Sequence, residues 1–427
     1  MAVQTQIQVR RGTAATWTST NPTLAAGEWG LETDTGKYKV GTGSAVWTSL
    51  GYASILPSTV TTKGDLLAAT GNAAVSRLAV GSDGYQLVAD SSQSTGLGWA
   101  GNSAAGKNAV INGGFDIWQR GTSFVPNTTA YGPDRWQVYR NTTGCTASRQ
   151  TPGSTLPQFQ YCARMQRDSG TTATNSSSYA MSLETSESLR FAGQTVTFSF
   201  YARAGANFSG SGASSMRIYL AYGTGTDQNV ISGFTGVTYL VNGTVTAITT
   251  SWARYTFTVS VPSTATQLGF ELNALWSGTA GANDWFEVTG VQLELGSSAT
   301  PFSRAGGNIQ GELAACQRYY IRQVTGSTYG NLAGAGFAAS TTVAYVPFIY
   351  PVTMRVAPSA IETGNIGLQD GVNIYSSGTW TIDTANSTTQ RGYVTYTHGS
   401  AALTQFRPYT VCGNNNTAAY LGFSAEL

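Results

Sequence analysis

Apolar and polar residues alternate in short runs along much of the 427-residue chain, separated by Gly, Ser, Asn and Asp. Period-two alternation in segments rich in β-branched and aromatic residues predicts half-buried strands. The clearest lie at 194–201 (QTVTFSFY), 216–222 (MRIYLAY), 253–261 (ARYTFTVSV), 267–275 (QLGFELNAL) and 285–295 (WFEVTGVQLEL). Several such strands bounded by turn formers suggest a two-sheet sandwich of jelly-roll type. In 285–295, strict alternation puts Trp285, Val291, Leu293 and Leu295 on one face, broken by Glu287 and Thr289. Phe286, Val288, Gln292 and Glu294 fall on the other, so neither face reads as purely solvent-facing.

Four further regions flank or follow this pattern. Residues 1–56 form a small β module: a strand at 7–11 (IQVRR), then Trp17, Leu24, Trp29, Leu31, Tyr38, Val40, Trp47, Leu50 and Tyr52 at short intervals. Asp34, Thr35 and Gly36 fit a hairpin turn, with Gly36 free to take positive φ. A module this small buries little surface alone, and three copies wound together would remedy that. Residues 57–107 carry Leu66, Leu67, Val75, Leu78, Val80, Leu87, Val88 and Trp99, broken every few positions by Gly, Asn, Asp or Ser. That spacing is too wide for one compact monomeric core; it fits a slender shaft shared by three chains, or a flexible linker. The sandwich occupies 108–305. A short connecting helix is expected within 306–323, where Leu313, Ala314, Ala315, Tyr319 and Tyr320 have roughly helical spacing. Residues 324–427 read as a distal β domain with strands at 344–349, 393–397 and 418–424. The expected class is therefore all-β.

Composition narrows the chemistry. Forty-eight aromatic residues (Trp 10, Tyr 22, Phe 16) outnumber forty-four charged ones (Lys+Arg 23, Asp+Glu 21), and one residue is histidine. The chain is 10% charged, against about 25% in a typical domain. That is a poor inventory for proton transfer or metal chemistry, and a good one for flat aromatic contacts and neutral hydrogen bonds. Basic and acidic groups balance in every region, so no basic stripe marks a nucleic-acid partner. No run approaches a membrane span, and MAVQTQIQVRR lacks the apolar stretch of a signal peptide. Cys145, Cys162, Cys316 and Cys412 are too few and scattered for a disulfide scaffold or zinc cluster, and read as buried thiols. No metal site, calcium loop, phosphate loop or cofactor is expected.

Ordered motifs carry a resemblance. IQVRRGTAATWTSTNPTLAAGEWGLETDTGKYKVGTGSAVWTSLGYA resembles the N-terminal module of bacteriophage tail-fibre and tail-appendage proteins. Its marks are Arg10, Arg11 and Gly12, Asn21-Pro22, Gly27-Glu28, Glu32, Asp34 to Lys37, Gly41, Gly43 and Trp47. Thr42 stands where an acidic residue is usual. GDLL and GSDGYQLVADSSQSTGLGWA look like fibre-shaft repeats. INGGFDIWQRGTSF, YGPDRWQVYR and TGVQLELGSSATPFSR resemble the opening and close of a fibre jelly roll, a domain similar to carbohydrate-binding modules. GELAACQRYYIRQ and PVTMRVAPSA look like the entry to the distal domain. The resemblance implies an elongated homotrimer in the virion tail, assembled in the bacterial cytoplasm. It would be attached by its N-terminus to tail or baseplate proteins. Its distal domains would bind a host surface glycan or outer-membrane protein.

Candidate site residues follow. Aromatics in turn-rich segments can cover the C–H face of a sugar while amides meet its rim. Trp276, Tyr375, Trp380, Tyr409, Asn414 and Asn415 (with Asn416) are the candidates for that role in the sequence, packing of the aromatics in a core or between subunits of a trimer being the alternative. For a glycosidase, two facing carboxylates are needed; Glu271, Asp284, Glu287 and Glu294 are the densest acidic set, and Glu271 and Glu287 would be tested first. Solvated sheet carboxylates, or partners for Arg254 and Arg304, are the simpler reading, so no catalytic residue is assigned and no enzyme is expected. A capsule- or lipopolysaccharide-degrading tail enzyme and a purely architectural tail or baseplate component are the alternatives. His398 makes neither a metal site nor a triad by sequence. Arg120, Asp134, Arg135 and Trp136 are expected to fix the chain's entry into the sandwich, and Phe115, Trp118 and Phe124 to pack.

Overall fold

A computed structural model describes residues 8–53, 59–72, 74–81, 85–101, 106–125, 128–141, 144–212 and 214–427. The protein is 42% strand and 7% helix, the all-β class expected. It divides into two compact units, Met1–Gly101 and Asn102–Leu427.

The first unit opens with β1 (Arg10–Gly12), α1 (Ala14–Thr20), β2 (Trp29–Glu32) and β3 (Tyr38–Val40). β2 pairs in parallel with β1 and antiparallel with β3. Of the strand expected over 7–11, residue 7 lies outside the described residues and pairing runs from Arg10 to Gly12. Thr13 caps α1 by accepting the Thr16 N–H at 3.2 Å, the arrangement that favours Thr at a helix start. Among the described residues the core is Trp17, Leu24, Trp47 and Leu50, with Trp17 stacked on Trp47 at 4.2 Å. The turn expected at Asp34 to Gly36 is present, and Gly36 has φ +67°. Two isolated ribbons follow, β4 (Leu66–Gly71) with β5 (Ala74–Leu78), and β6 (Tyr85–Ala89) with β7 (Leu97–Gly101). Leu66, Leu67, Val75, Leu87 and Val88 remain exposed on them.

The second unit is built on two six-stranded sheets packed face to face. One runs in the order β16 (Thr238–Ala247), β15 (Ser215–Gly223), β18 (Gln267–Leu275), β13 (Ser176–Ser182), β10 (Gln137–Arg140), β9 (Thr129–Tyr131). The other runs β17 (Ala253–Ser260), β14 (Thr195–Ala204), β19 (Trp285–Leu295), β12 (Cys162–Arg167), β11 (Cys145–Gln150), β8 (Ser123–Phe124). The short helix α2 (Thr185–Ser188) follows β13. Alternating residues of both sheets form one core, in which Phe198, Phe200, Phe270, Phe286 and Trp136 are fully buried. All five sandwich strands expected from alternation are present. Strict alternation fails once, in β19. Gly290 takes φ +61° and inserts an extra residue opposite β14, where the register shifts between Ser199 and Tyr201. The bulge turns Val291 and Leu293 to the same core as Phe286 and Val288, and leaves Glu287, Thr289, Gln292 and Glu294 on the outer face.

α3 (Ile309–Gln317) is capped by Asn308, whose side chain accepts the Gly311 N–H at 2.9 Å. It stops short of Tyr319, and Tyr320 opens β20 (Tyr320–Val324), so the helical reading of those tyrosines is corrected. The remaining strands are β21 (Gly336–Ala338), β22 (Val343–Ile349), β23 (Ile361–Gly364), β24 (Ile366–Gln369), β25 (Ile374–Tyr375), β26 (Thr379–Ile382), β27 (Arg391–Thr397), β28 (Pro408–Gly413) and β29 (Tyr420–Ser424). They form a three-stranded sheet (β20-β29-β23) and a seven-stranded sheet (β25-β24-β28-β21-β22-β27-β26) around a second core. This terminal domain is tied to the sandwich by Arg318 with Glu184 (3.0 Å) and by Arg120 and Arg135 with Glu426 (3.3 and 2.5 Å). Arg120 and Arg135 thus anchor the domain junction. Asp134 instead accepts the Gln119 backbone N–H at 2.7 Å and its side-chain amide at 2.5 Å.

Candidate functional site: an open sheet face on the sandwich

The two outer faces of the sandwich differ. On the sheet centred on β19, the outer face is closed. Glu287 is buried and clamped by Arg164 (2.6 Å) and Arg203 (2.6 Å), and Glu294 pairs with Lys107 at 3.5 Å. Thr289 donates to the Tyr161 carbonyl at 2.9 Å, and Gln292 accepts the Ser303 N–H at 2.9 Å. Loops around 152–161 and 300–304 complete the cover, with Phe159 packed between Tyr201 and Phe302.

On the sheet centred on β18, cross-strand register aligns Tyr139, Ser178, Asn273 and Arg217 in one row. Gln137, Ala180, Glu271 and Tyr219 form the next. All point away from the core, because Val138, Tyr179, Leu272 and Ile218 between them point into it. Loop 224–236 folds over one end of this face, with Val230 and Phe234 packed on Ala180 and Ala221. Tyr139, Arg217 and Tyr219 are half-buried, and Tyr239, in edge contact with Tyr219 at 5.7 Å, is exposed.

The electrostatics of this face are those of an unfinished hydrogen-bond network. Burial pushes the Glu271 carboxyl above its ordinary pKa, while hydrogen bonds from Ser178 (3.2 Å) and Asn273 pull it down. Gln137 is 8% exposed, yet its Oε1 accepts no hydrogen bond among the described residues. The Arg217 Nε–H is likewise buried and unpartnered, and Arg217 forms no ion pair with any described residue. The closed face keeps two orphans of its own, Arg254 Nε and Ser303 Oγ, beneath its loops; on the open face a polar ligand can pair the Gln137 acceptor and the Arg217 donor. Neutral hydroxyls suit both, and the tyrosine rings flanking them suit the C–H faces between hydroxyls.

The residues singled out by sequence fare unequally. Trp276 is 1% exposed, packed edge-on to Phe208 (5.6 Å), and its indole N–H donates to Ser177 at 3.2 Å; it belongs to the sandwich core. Tyr409 is also 1% exposed, its hydroxyl accepting the Thr404 N–H at 2.9 Å. Neither offers a ring face to a ligand, because each is packed into the core of its own domain. Tyr375 and Trp380 are half-buried and share one cluster: Tyr375 meets His398 edge-on at 6.0 Å, and Trp380 leans on Tyr396 at 4.7 Å. His398 Nε2 lies 3.0 Å from the Ser377 hydroxyl. Asn414 and Asn415 are exposed in the turn after β28, and the Asn414 N–H is taken by the Asn365 carbonyl at 2.8 Å. Among the acidic set, Glu271 and Glu287 lie on opposite outer faces of the sandwich. With sheets about 10 Å apart they cannot flank one glycosidic bond. Asp284 is fully buried against Arg167 at 2.9 Å. Sequence reading missed Gln137, Tyr139, Ser178, Arg217, Tyr219 and Asn273. Tyr219 and Arg217 stood in an expected strand, but only cross-strand register unites the set.

In the first unit, the motif residues have local tasks. Asp34 accepts the Ala14 N–H at 2.9 Å, Glu28 that of Ala25 at 2.8 Å, and Asn21 that of Thr48 at 2.9 Å. Glu32 is buried, accepting from Tyr52 at 2.7 Å and from Thr35. Thr42 accepts the Ala45 N–H at 3.1 Å, so an uncharged side chain serves that turn.

These geometries define an all-β protein with a jelly-roll sandwich, one closed and one open sheet face, and a compact Trp-stacked module before it. Residues 7–45 match the family described as the major tropism determinant N-terminal domain. No curated protein matches the chain. Among solved structures, a CBM4 module is 18% identical, covering 44% of this chain and 100% of its own, with a TM-score of 0.28. The CBM22-1 xylan-binding domain of Paenibacillus barcinonensis is 12% identical, covering 46% and 100%, at 0.28. Tailspike protein 4 of bacteriophage CBA120 (its enzymatically active domain) is 11% identical, covering 44% of this chain and 21% of its own, at 0.26.

Proposed function

We propose that the protein is a virion tail fibre that recognises a host surface glycan. The observation that carries the glycan reading is the open sheet face, where Tyr139, Tyr219 and Tyr239 surround Glu271, Asn273 and the unpartnered atoms of Gln137 and Arg217. The tail-fibre reading is supported by the tropism-determinant match over residues 7–45. On this reading the N-terminal module attaches to tail or baseplate proteins, the fibre is a homotrimer assembled in the host cytoplasm, and binding proceeds without turnover. The Tyr375–Trp380–His398 cluster supplies a second contact surface in the terminal domain.

Binding of the full-length protein to host cells and to extracted envelope polysaccharide tests this. Tyr219→Ala and Glu271→Gln are each expected to weaken binding by about tenfold or more, the loss of one good ring or charge-assisted contact. Retained binding in both, with loss on truncating 324–427, would move the site to the terminal domain. Absence of cell binding by the intact protein would leave an architectural role. Release of reducing sugar would make the protein a depolymerase.

A further inference from the structure

Residues 425–427 run along the junction of sandwich and terminal domain, and nearly every polar group they present is taken. The Ala425 N–H donates to the Tyr319 carbonyl at 2.7 Å. Arg355 donates to the carbonyls of Ala425 (2.8 Å) and Glu426 (2.9 Å). The Glu426 carboxylate, 4% exposed, bridges Arg120 and Arg135, which are 6% and 2% exposed. Those guanidiniums are sandwiched in turn, Arg120 over Tyr320 at 3.4 Å and Arg135 over Tyr319 at 3.6 Å. Arg135 also adopts φ +70°, a conformation unfavourable for a side chain with a Cβ and held only by its surroundings.

The far end of the segment leaves the terminal domain. The Leu427 main-chain oxygen accepts from Tyr131 at 2.8 Å and from the Asn229 amide at 3.2 Å. Tyr131 is the residue of β9 paired with Gln137, whose Oε1 is the orphan acceptor of the open face. Asn229 sits in loop 224–236, whose Val230 and Phe234 cover one end of that face. The same loop is gripped by Arg355 through Asp227 at 3.3 Å. One three-residue segment therefore ties together the edge of the open face, the loop that walls it, and the domain that follows.

We propose that residues 425–427 act as a strap that holds the open sheet face in its binding shape, with Glu426 as its positioning residue. Glu426 touches none of the face residues; it acts by fixing Arg120 and Arg135 and thereby the course of the segment that reaches Tyr131 and Asn229. The ligand-binding part of the inference rests on the glycan reading above, whereas the ordering of the face does not.

Hydrogen exchange of the full-length protein separates the two. In Glu426→Gln, protection within 128–140 and 224–236 is expected to fall by about tenfold or more, the consequence of leaving buried Arg135 without its counter-charge and Arg120 with only Glu362 at 3.9 Å. Protection in β14, β18 and β19 should stay at the wild-type level. Asn229→Ala, which spares the arginine clasp, is expected to loosen 224–236 alone. Affinity for host polysaccharide should fall in both variants by a common factor at unchanged ligand preference. Unchanged exchange in 128–140 and 224–236, or loosening confined to 320–427, overturns the strap. Loosened exchange without any polysaccharide binding by the wild type keeps the strap and overturns the glycan reading. Should Glu426→Gln fail to fold, Asn229→Ala with unchanged exchange in its own loop is sufficient to reject the proposal.

Discussion

The two outer faces of the sandwich are made from the same strand alternation, yet on one every carboxylate is finished with a cation and on the other Glu271 is left unfinished, without one. On the closed face every carboxylate has cations: Glu287 holds two arginines and Glu294 a lysine. On the open face Glu271 has only hydroxyl and amide neighbours, and Arg217 has no described acid. Buried pairs hold when complete and fail badly when one partner is removed. Unpaired buried groups cost about 1–3 kcal/mol each, which a ligand that pairs them recovers. The contrast separates residues kept for folding from residues available for recognition, and the two kinds should respond oppositely to mutation.

The largest effect is expected where the fold is most complete. Arg167 is wholly buried and donates to Asp284, Ser209 and the carbonyls of Thr171, Ala173, Ser277 and Gly278. Arg167→Ala leaves Asp284 buried without its cation, a loss of about 3–5 kcal/mol. Urea denaturation checks this, and a loss below about 1 kcal/mol would break the contrast. Trp276→Ala is the next step down, at about 3–4 kcal/mol for a large core ring. Because Trp276 lies inside the sandwich, polysaccharide affinity per folded molecule should not change. A selective loss of binding would return Trp276 to the recognition set.

A smaller effect depends on pH. Burial raises the Asp134 carboxyl to about 6, against the nearby Arg120, which lowers it, and with Glu426, which raises it. A folded-state value above the unfolded one near 3.9 means that the folded state binds the proton more tightly. The destabilisation is therefore complete above about pH 6 and is relieved as pH falls towards 4, by roughly 2–3 kcal/mol. Other carboxylates with lowered values, such as Glu184 beside Arg318, work the opposite way. The measurement is accordingly the difference between wild type and Asp134→Asn, which should shift in favour of the wild type between pH 7 and 4. A flat difference would rule out an Asp134 carboxyl that titrates near neutrality.

Strands of both faces were legible in the sequence, whereas the side assignment in β19 and the membership of the open face were not, for a physical reason. Alternation in 267–275 and 285–295 reports which residues leave the core, because burial of one face is a property of a single strand. Where β19 carries its bulge, a glycine between Thr289 and Val291 was the available signal, and it was read as ordinary alternation. Recognition on a sheet needs residues from β10, β13, β18 and β15 in register, and strand order is set by long-range pairing that no local pattern records. Trp276 and Tyr409 show the reverse error: a Gly- and Ser-rich neighbourhood suggested exposure, while the rings themselves turn inward. Tyr375 and Trp380 come together through Tyr396 and His398, although β25 and β26 pair with different strands and stand at opposite ends of the sheet order.

The finest test lies on the open face itself, where stability should hardly move. Arg217 is half-buried, opposite Asn273 on β18 and Val245 on β16, and no described acid depends on it. Arg217→Met keeps most of the stem that covers the sheet and removes the charge and the orphan Nε–H. The expected change in unfolding free energy is within about 0.5 kcal/mol, as for a surface site outside any network. Affinity for an acidic polysaccharide should fall further than affinity for a neutral one, since only the former loses a charge-assisted hydrogen bond. A stability loss comparable with that of Arg167→Ala would mean that Arg217 completes the fold, and the division between a finished and an unfinished face would then fail at its centre.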